Sequence, residues 1–127
     1  MDFIFYFGEV FTLTSMLLLI AGTIMGATPG LSPTMTVALL IPFTFNMTPV
    51  HGLILLGAAY TSTVAGGAVS AILLKIPGAP ANIATTLDGN AMARKGEGAK
   101  ALQLSFIASL IGGIFVVFLL IFLTPIL

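Results

Sequence analysis

An all-α fold of polytopic transmembrane helices, with broken or re-entrant segments at two proline-glycine motifs, is what this sequence predicts. Three observations carry that expectation. Of 127 residues, 58% are hydrophobic and 6% are charged, where an ordinary soluble domain carries about 25% charged residues. The mean hydropathy is +1.19, so the polar groups are too few to coat a water-facing surface. The apolar runs are cut by Pro29-Gly30-Leu31-Ser32-Pro33 and again by Pro77-Gly78-Ala79-Pro80. Breaking a helix in lipid frees backbone groups that have no water to bond. Two such breaks point to exposed backbone at depth, for which transport of a small solute or ion is the usual reason.

The chain, 1–127, reads as a single transmembrane domain with room for about three or four spans of about 20 residues each. The first apolar run, about 11–28, is long enough to cross, and Gly22 and Gly26 form a small-xxx-small pair for close helix approach. It ends before Pro29, because the residue preceding a proline is driven out of the helical region. The next run, about 33–45, is too short to span. Ser32 suits its N-cap and Pro33 its first position. This piece is either half of a broken helix or the return arm of a hairpin. In the first case the N-terminus lies inside, in the second outside.

Asn46-Met47-Thr48-Pro49 marks a turn at the membrane surface, and the run 50–74 is long enough to cross with tilt. Its middle holds Tyr60-Thr61-Ser62-Thr63 and Ala65-Gly66-Gly67-Ala68, which suit tight helix packing or a wet interior. Every Lys and Arg, namely Lys75, Arg94, Lys95 and Lys100, lies between residues 75 and 100. By the positive-inside rule that connection is cytoplasmic. Within it, 80–87 reads as a short helix begun by Pro80 and stopped by Asp88-Gly89. The last run, 101–127, is a span carrying Gly112-Gly113, which read as close-packing positions. Its abrupt end after Pro125 reads as a truncation.

Composition excludes several function classes. Four basic and four acidic residues leave no basic patch for nucleic acid, so membrane lipid is the expected surrounding and no nucleic acid a partner. The absence of cysteine excludes disulfides and thiolate metal sites. With one histidine, no paired acids and no metal-ligand spacing, neither an enzyme nor a cofactor is expected. No basic leader precedes the first apolar run, against a cleaved signal peptide. His51 reads as an interfacial residue, and Glu9 as one held at the headgroups, because a lone carboxylate in the core costs about 2.5–3.5 kcal/mol.

A helix that starts inside a cavity aims unpaired N–H groups at its contents, a field that favours anions by about 0.3–1 kcal/mol at exposed sites. Two such starts facing one chamber would hold a carboxylate without arginine, and the unwound carbonyls before them would ligate sodium. Pro29, Gly30, Ser32, Pro33 and Thr34 form one expected half-site. Pro77, Gly78, Ala79, Pro80 and Asn82 form the other, with Thr85 one helical turn behind Asn82 on the same face. For a single Pro-Gly a simple kink is the commoner reading, but a matching second copy reverses the balance.

Residues 22–35, Gly-Thr-Ile-Met-Gly-Ala-Thr-Pro-Gly-Leu-Ser-Pro-Thr-Met, resemble the opening motif of the large membrane subunit of tripartite tricarboxylate transporters, the TctA family. So does Leu-Leu-Ile-Pro-Phe-Thr-Phe at 39–45. The stretch Ile-Leu-Leu-Lys-Ile-Pro-Gly-Ala-Pro-Ala at 72–81, continued by 86–89 and 92–96, is similar to the family's second motif. Lys75 stands where that pattern has a polar neutral residue, often asparagine. Asn90-Ala91 replaces an aromatic-proline pair, and Ala68-Val69 a Ser-Ile-like pair.

The resemblance implies a multi-pass protein of the bacterial inner membrane, a secondary transporter that takes up citrate-like carboxylates on a sodium or proton gradient. It further implies a small membrane subunit and a periplasmic solute-binding protein as partners. Because the resemblance covers the N-terminal portion of a longer subunit, a fragment is expected. The alternative is a truncated, non-transporting membrane protein with a helix-packing or assembly role.

Overall fold

The computed structural model describes Gly8 and residues 12–125, so the expectations for Glu9 fall outside the described residues. Among the described residues, the elements given residue ranges are five α-helices and one 3-10 turn, with no strand. They are α1 (Leu13–Ala27), α2 (Pro33–Thr44), α3 (Pro49–Leu74), a 3-10 turn (Pro80–Asn82), α4 (Ile83–Arg94) and α5 (Gly98–Leu123).

The two proline-glycine elements are both helix breaks. Helix α1 stops at Ala27, with Thr28 extended at ψ 119° ahead of the proline. Gly30 then takes φ +98°, a conformation that L side chains rarely adopt. Helix α2 restarts at Pro33, where the Ser32 hydroxyl accepts the Met35 N–H at 3.2 Å. At the second break, α3 ends at Leu74 and Lys75 takes the left-handed conformation, φ 62°. The chain resumes a helical path at Pro80.

Helix α3 is the axis of the molecule, and its neighbours run in directions that contact pairs make plain. A Cβ added to Gly22 would collide with Ser62, one on Gly26 with the Thr63 backbone, and one on Gly66 with the backbone of Thr23 and Ala27. Residue numbers rise together in those pairs, so α1 runs parallel to α3. Helix α2 returns antiparallel: Thr44, at its end, meets Gly52 near the start of α3, while Thr36 shares a cavity with Ala59. Helices α1 and α2 are therefore a hairpin whose tip lies beside Thr63 and Gly66. At 15 residues, α1 rises about 22 Å, short of a bilayer core of about 30 Å. The first run does not cross by itself; it folds back at Pro29-Gly30.

Helix α4 also runs parallel to α3, which requires the chain to climb back after Leu74. The Asn82 amide donates to the Val64 carbonyl at 3.1 Å, and the Asn90 amide donates to the Ile72 carbonyl at 2.9 Å. Val64 lies ten residues before the end of α3, about 15 Å along the axis. Residues 75–82 thus return to the middle of α3 before α4 runs back along it. Helix α5 is antiparallel, with Ala101 beside Ile72 and Gly89, and Ser105 and Ser109 beside Thr85. Ala101 is buried, whereas every residue from 106 to 125 is exposed.

Several expectations change. Asp88-Gly89 does not stop a helix; α4 runs on to Arg94. Gly89 is buried against Ile72, where an added Cβ would come within 2.7 Å of Cγ1. Its lack of a side chain serves close packing. The stop is Gly96 at φ +85°, with Gly96 N–H bonded to the Ala93 carbonyl and Glu97 N–H to the Met92 carbonyl, the Schellman arrangement. The expected helix over 80–87 is a 3-10 turn leading into this longer α4. The last helix begins at Gly98, earlier than expected. Gly112 and Gly113 meet no atom within 4 Å, so their packing role finds no partner within the described residues. Gly22, Gly26, Gly66 and Gly67 do pack closely, as expected.

Candidate functional site

The second proline-glycine element sits in the centre of the fold. A Cβ on Gly78 would stand 2.8 Å from the Gly67 Cα and 3.3 Å from the Gly26 carbonyl oxygen. Three glycines from three separate segments let their main chains converge there, and the carbonyl of Gly26 belongs to the last turn of α1, just ahead of Pro29. The two helix breaks are thus brought together beside the middle of α3. Their side chains are placed differently. Pro29, Gly30 and Thr34 are exposed, Ser32 is half-buried and Pro33 is buried. Pro77 and Pro80 are exposed, Gly78 and Thr85 half-buried, Ala79 and Asn82 buried.

Hydrogen bonding shows how much of each helix start remains available to a ligand. At α2, Pro33 has no N–H, the Met35 N–H goes to the Ser32 hydroxyl, and the Thr36 N–H goes to the Ser32 carbonyl at 3.0 Å. The Thr34 N–H is left over. At the second start, Pro80 has no N–H, the Asn82 N–H bonds the Ala79 carbonyl at 2.9 Å and the Ile83 N–H bonds the Pro80 carbonyl. The Ala81 N–H is left over. A bare helix end exposes four donors; proline and the caps reduce each of these to one in the first turn.

Asn82 and Thr85 line a cavity of about 420 Å³ between α3, α4 and α5, together with Tyr60, Thr61, Ser105 and Ser109. It adjoins a second of about 560 Å³ that shares Thr85, Ser105 and Ser109 and adds Asp88. Sequence reasoning placed Asn82 and Thr85 on one face, and both do line the first cavity. It read Tyr60 and Thr61 only as signs of tight helix packing or a wet interior, and it missed Ser105 and Ser109. A serine pair four apart in an otherwise apolar span was the available signal.

Buried polar groups fix α4 in place. Asn82, Thr86 and Asn90 recur every four residues, so they share one face, and none is more than 7% exposed. The Thr86 hydroxyl donates to the Asn82 carbonyl at 2.8 Å, and Asn90 accepts from Arg94 Nε at 3.1 Å. Ile72 lies in the last turn of α3, so the Asn90 amide satisfies a carbonyl that has no partner in its own helix. His51 lies in the first turn of α3, exposed and hydrogen-bonded to Thr48. No cluster of three or more His, Cys, Asp or Glu exists among the described residues.

The family model described as "Tripartite tricarboxylate transporter TctA family" matches residues 13–127. The chain belongs to the TctA family. An uncharacterized 52.8 kDa protein in the TAR-I ttuC' 3' region of Agrobacterium vitis is 41% identical over 92 residues, 72% of this chain. The match spans 18% of that relative's length. No solved structure matches the chain. Helices α3 and α5 are long and apolar enough to cross a membrane, as a TctA membrane subunit requires.

Proposed function

We propose that this chain is part of a secondary, cation-coupled transporter that takes up tricarboxylates or related carboxylates across the bacterial inner membrane. In this reading it works with a small membrane subunit and a periplasmic solute-binding protein, and sodium or a proton drives uptake. The observation that carries the reading is the meeting of two helix breaks at Gly26, Gly67 and Gly78, beside the middle of the long apolar helix α3. Along a bilayer-spanning α3, Gly67 lies about 8 Å past the helix centre, so the breaks meet inside the membrane core, where discontinuous helices form solute sites.

The chemistry fits an anion. The partial positive charge at the starts of α2 and α4 persists although each first turn keeps one free N–H. The hydroxyls of Ser32, Thr34 and Thr85 add donors that need no net charge. With the Lys and Arg residues between 75 and 100 on the cytoplasmic side, the α1–α2 hairpin enters from the outside and the 75–94 segment from the cytoplasm.

Uptake of radiolabelled citrate by cells carrying the complete transporter tests this. Thr34→Val and Thr85→Val keep the shape of exposed or half-buried side chains and remove a donor. Each is expected to lower uptake about tenfold, as loss of a hydrogen bond to a charged group does, with the protein still inserted. Uptake equal to wild type in both variants defeats the site.

A further inference from the structure

We infer that the cavity between α3, α4 and α5 is a binding site for a monovalent metal cation, with the Asn82 side-chain oxygen as its central ligand. Asn82 is 5% exposed, and its Nδ2 is committed to the Val64 carbonyl. That bond sets the orientation of the amide and leaves Oδ1 with no donor among the described residues. A buried acceptor left unpaired is costly, and this one belongs to a side chain that lines a cavity. The cavity therefore supplies its missing partner.

The rest of the lining says what that partner is. Tyr60, Thr61, Thr85, Ser105 and Ser109 contribute neutral oxygens. Thr61 spends its proton on the Gly57 carbonyl at 2.8 Å, so its oxygen is left to accept or to ligate. Hard oxygen ligands suit hard cations. A set without a carboxylate balances one positive charge better than two, because a divalent ion would remain largely uncompensated in a low-dielectric site. Amide and alcohol groups do not take up a proton near neutral pH, so the ion held here is a metal ion of the sodium kind. Asp88, in the adjoining cavity that shares Thr85, Ser105 and Ser109, attracts a cation toward the same opening.

The inference deepens the transport reading by naming its coupling ion, and it is tested without any carboxylate present. Retention of radioactive sodium by the complete membrane subunit, purified in detergent, is measured against unlabelled sodium and against choline. Saturable retention, competed by sodium and not by choline, is expected. Thr61→Val and Ser109→Ala each weaken it about tenfold, the loss of one contact to a charged partner, with helix content and elution volume unchanged. Asn82 itself is left intact, because its amide also holds α4 to α3. No saturable retention in the wild type, or unaltered retention in both variants, overturns the site. Uptake can persist while sodium retention fails, so the two readings fall separately.

Discussion

Lys75 shows how a single position reports on its backbone. Its φ of 62° lies in the left-handed region, which costs an ordinary L residue about 1–2 kcal/mol and is eased by asparagine or glycine. An asparagine here would cap α3 with less strain than the lysine does. Lys75→Asn is expected to stabilise the protein by about 1 kcal/mol, measured by unfolding in mixed detergent micelles; a loss of stability would contradict this. Gly78 has the opposite constraint. Its φ is unremarkable, but a Cβ would press on Gly67 at 2.8 Å. Gly78→Ala should destabilise by about 1–3 kcal/mol, as overpacking does, and the same unfolding assay checks it. Asn90→Leu is expected to cost a similar amount, about 1–3 kcal/mol, by orphaning the Ile72 carbonyl. A variant as stable as wild type would remove Asn90 from the structural account.

At the scale of elements, what was legible in the sequence was punctuation. Proline and glycine act locally, so the ends of α1 and α3 and the restarts at Pro33 and Pro80 followed from residue type alone. Directions were not legible. Whether residues 33–44 continued outward or turned back depends on which face of α3 receives Gly22 and Gly26, a contact made about 40 residues later in the chain. The Asp88-Gly89 error has the same origin. A glycine next to an aspartate has the chemistry of a stop, but Gly89 is held helical because Ile72 lies against it. In the site, Asn82 and Thr85 could be paired from helical periodicity. Ser105 and Ser109 could not be added, because they reach the cavity only through the antiparallel return of α5.

At the scale of the whole molecule, two arms enter from opposite ends of α3 and stop beside its centre. The arms are held by small residues and buried amides, with few large apolar side chains in the core: Ile72 is the largest fully buried one. That construction suits a medium in which hydrophobic burial gives little and close approach with satisfied hydrogen bonds gives most. Helix α5 packs only beside the half of α3 that ends at Leu74 and presents an apolar surface over residues 110–123. The central claim, that α1 and α2 form a hairpin and do not cross as one broken helix, is tested by side-specific labelling. The chain has no cysteine, so Gly8→Cys, Met47→Cys and Lys95→Cys each give one addressable thiol. With an impermeant maleimide on sealed vesicles of known orientation, Gly8→Cys and Met47→Cys are expected to label from one side and Lys95→Cys from the other. Labelling of Gly8→Cys and Met47→Cys from opposite sides would contradict the hairpin, and with it the meeting of the two helix breaks.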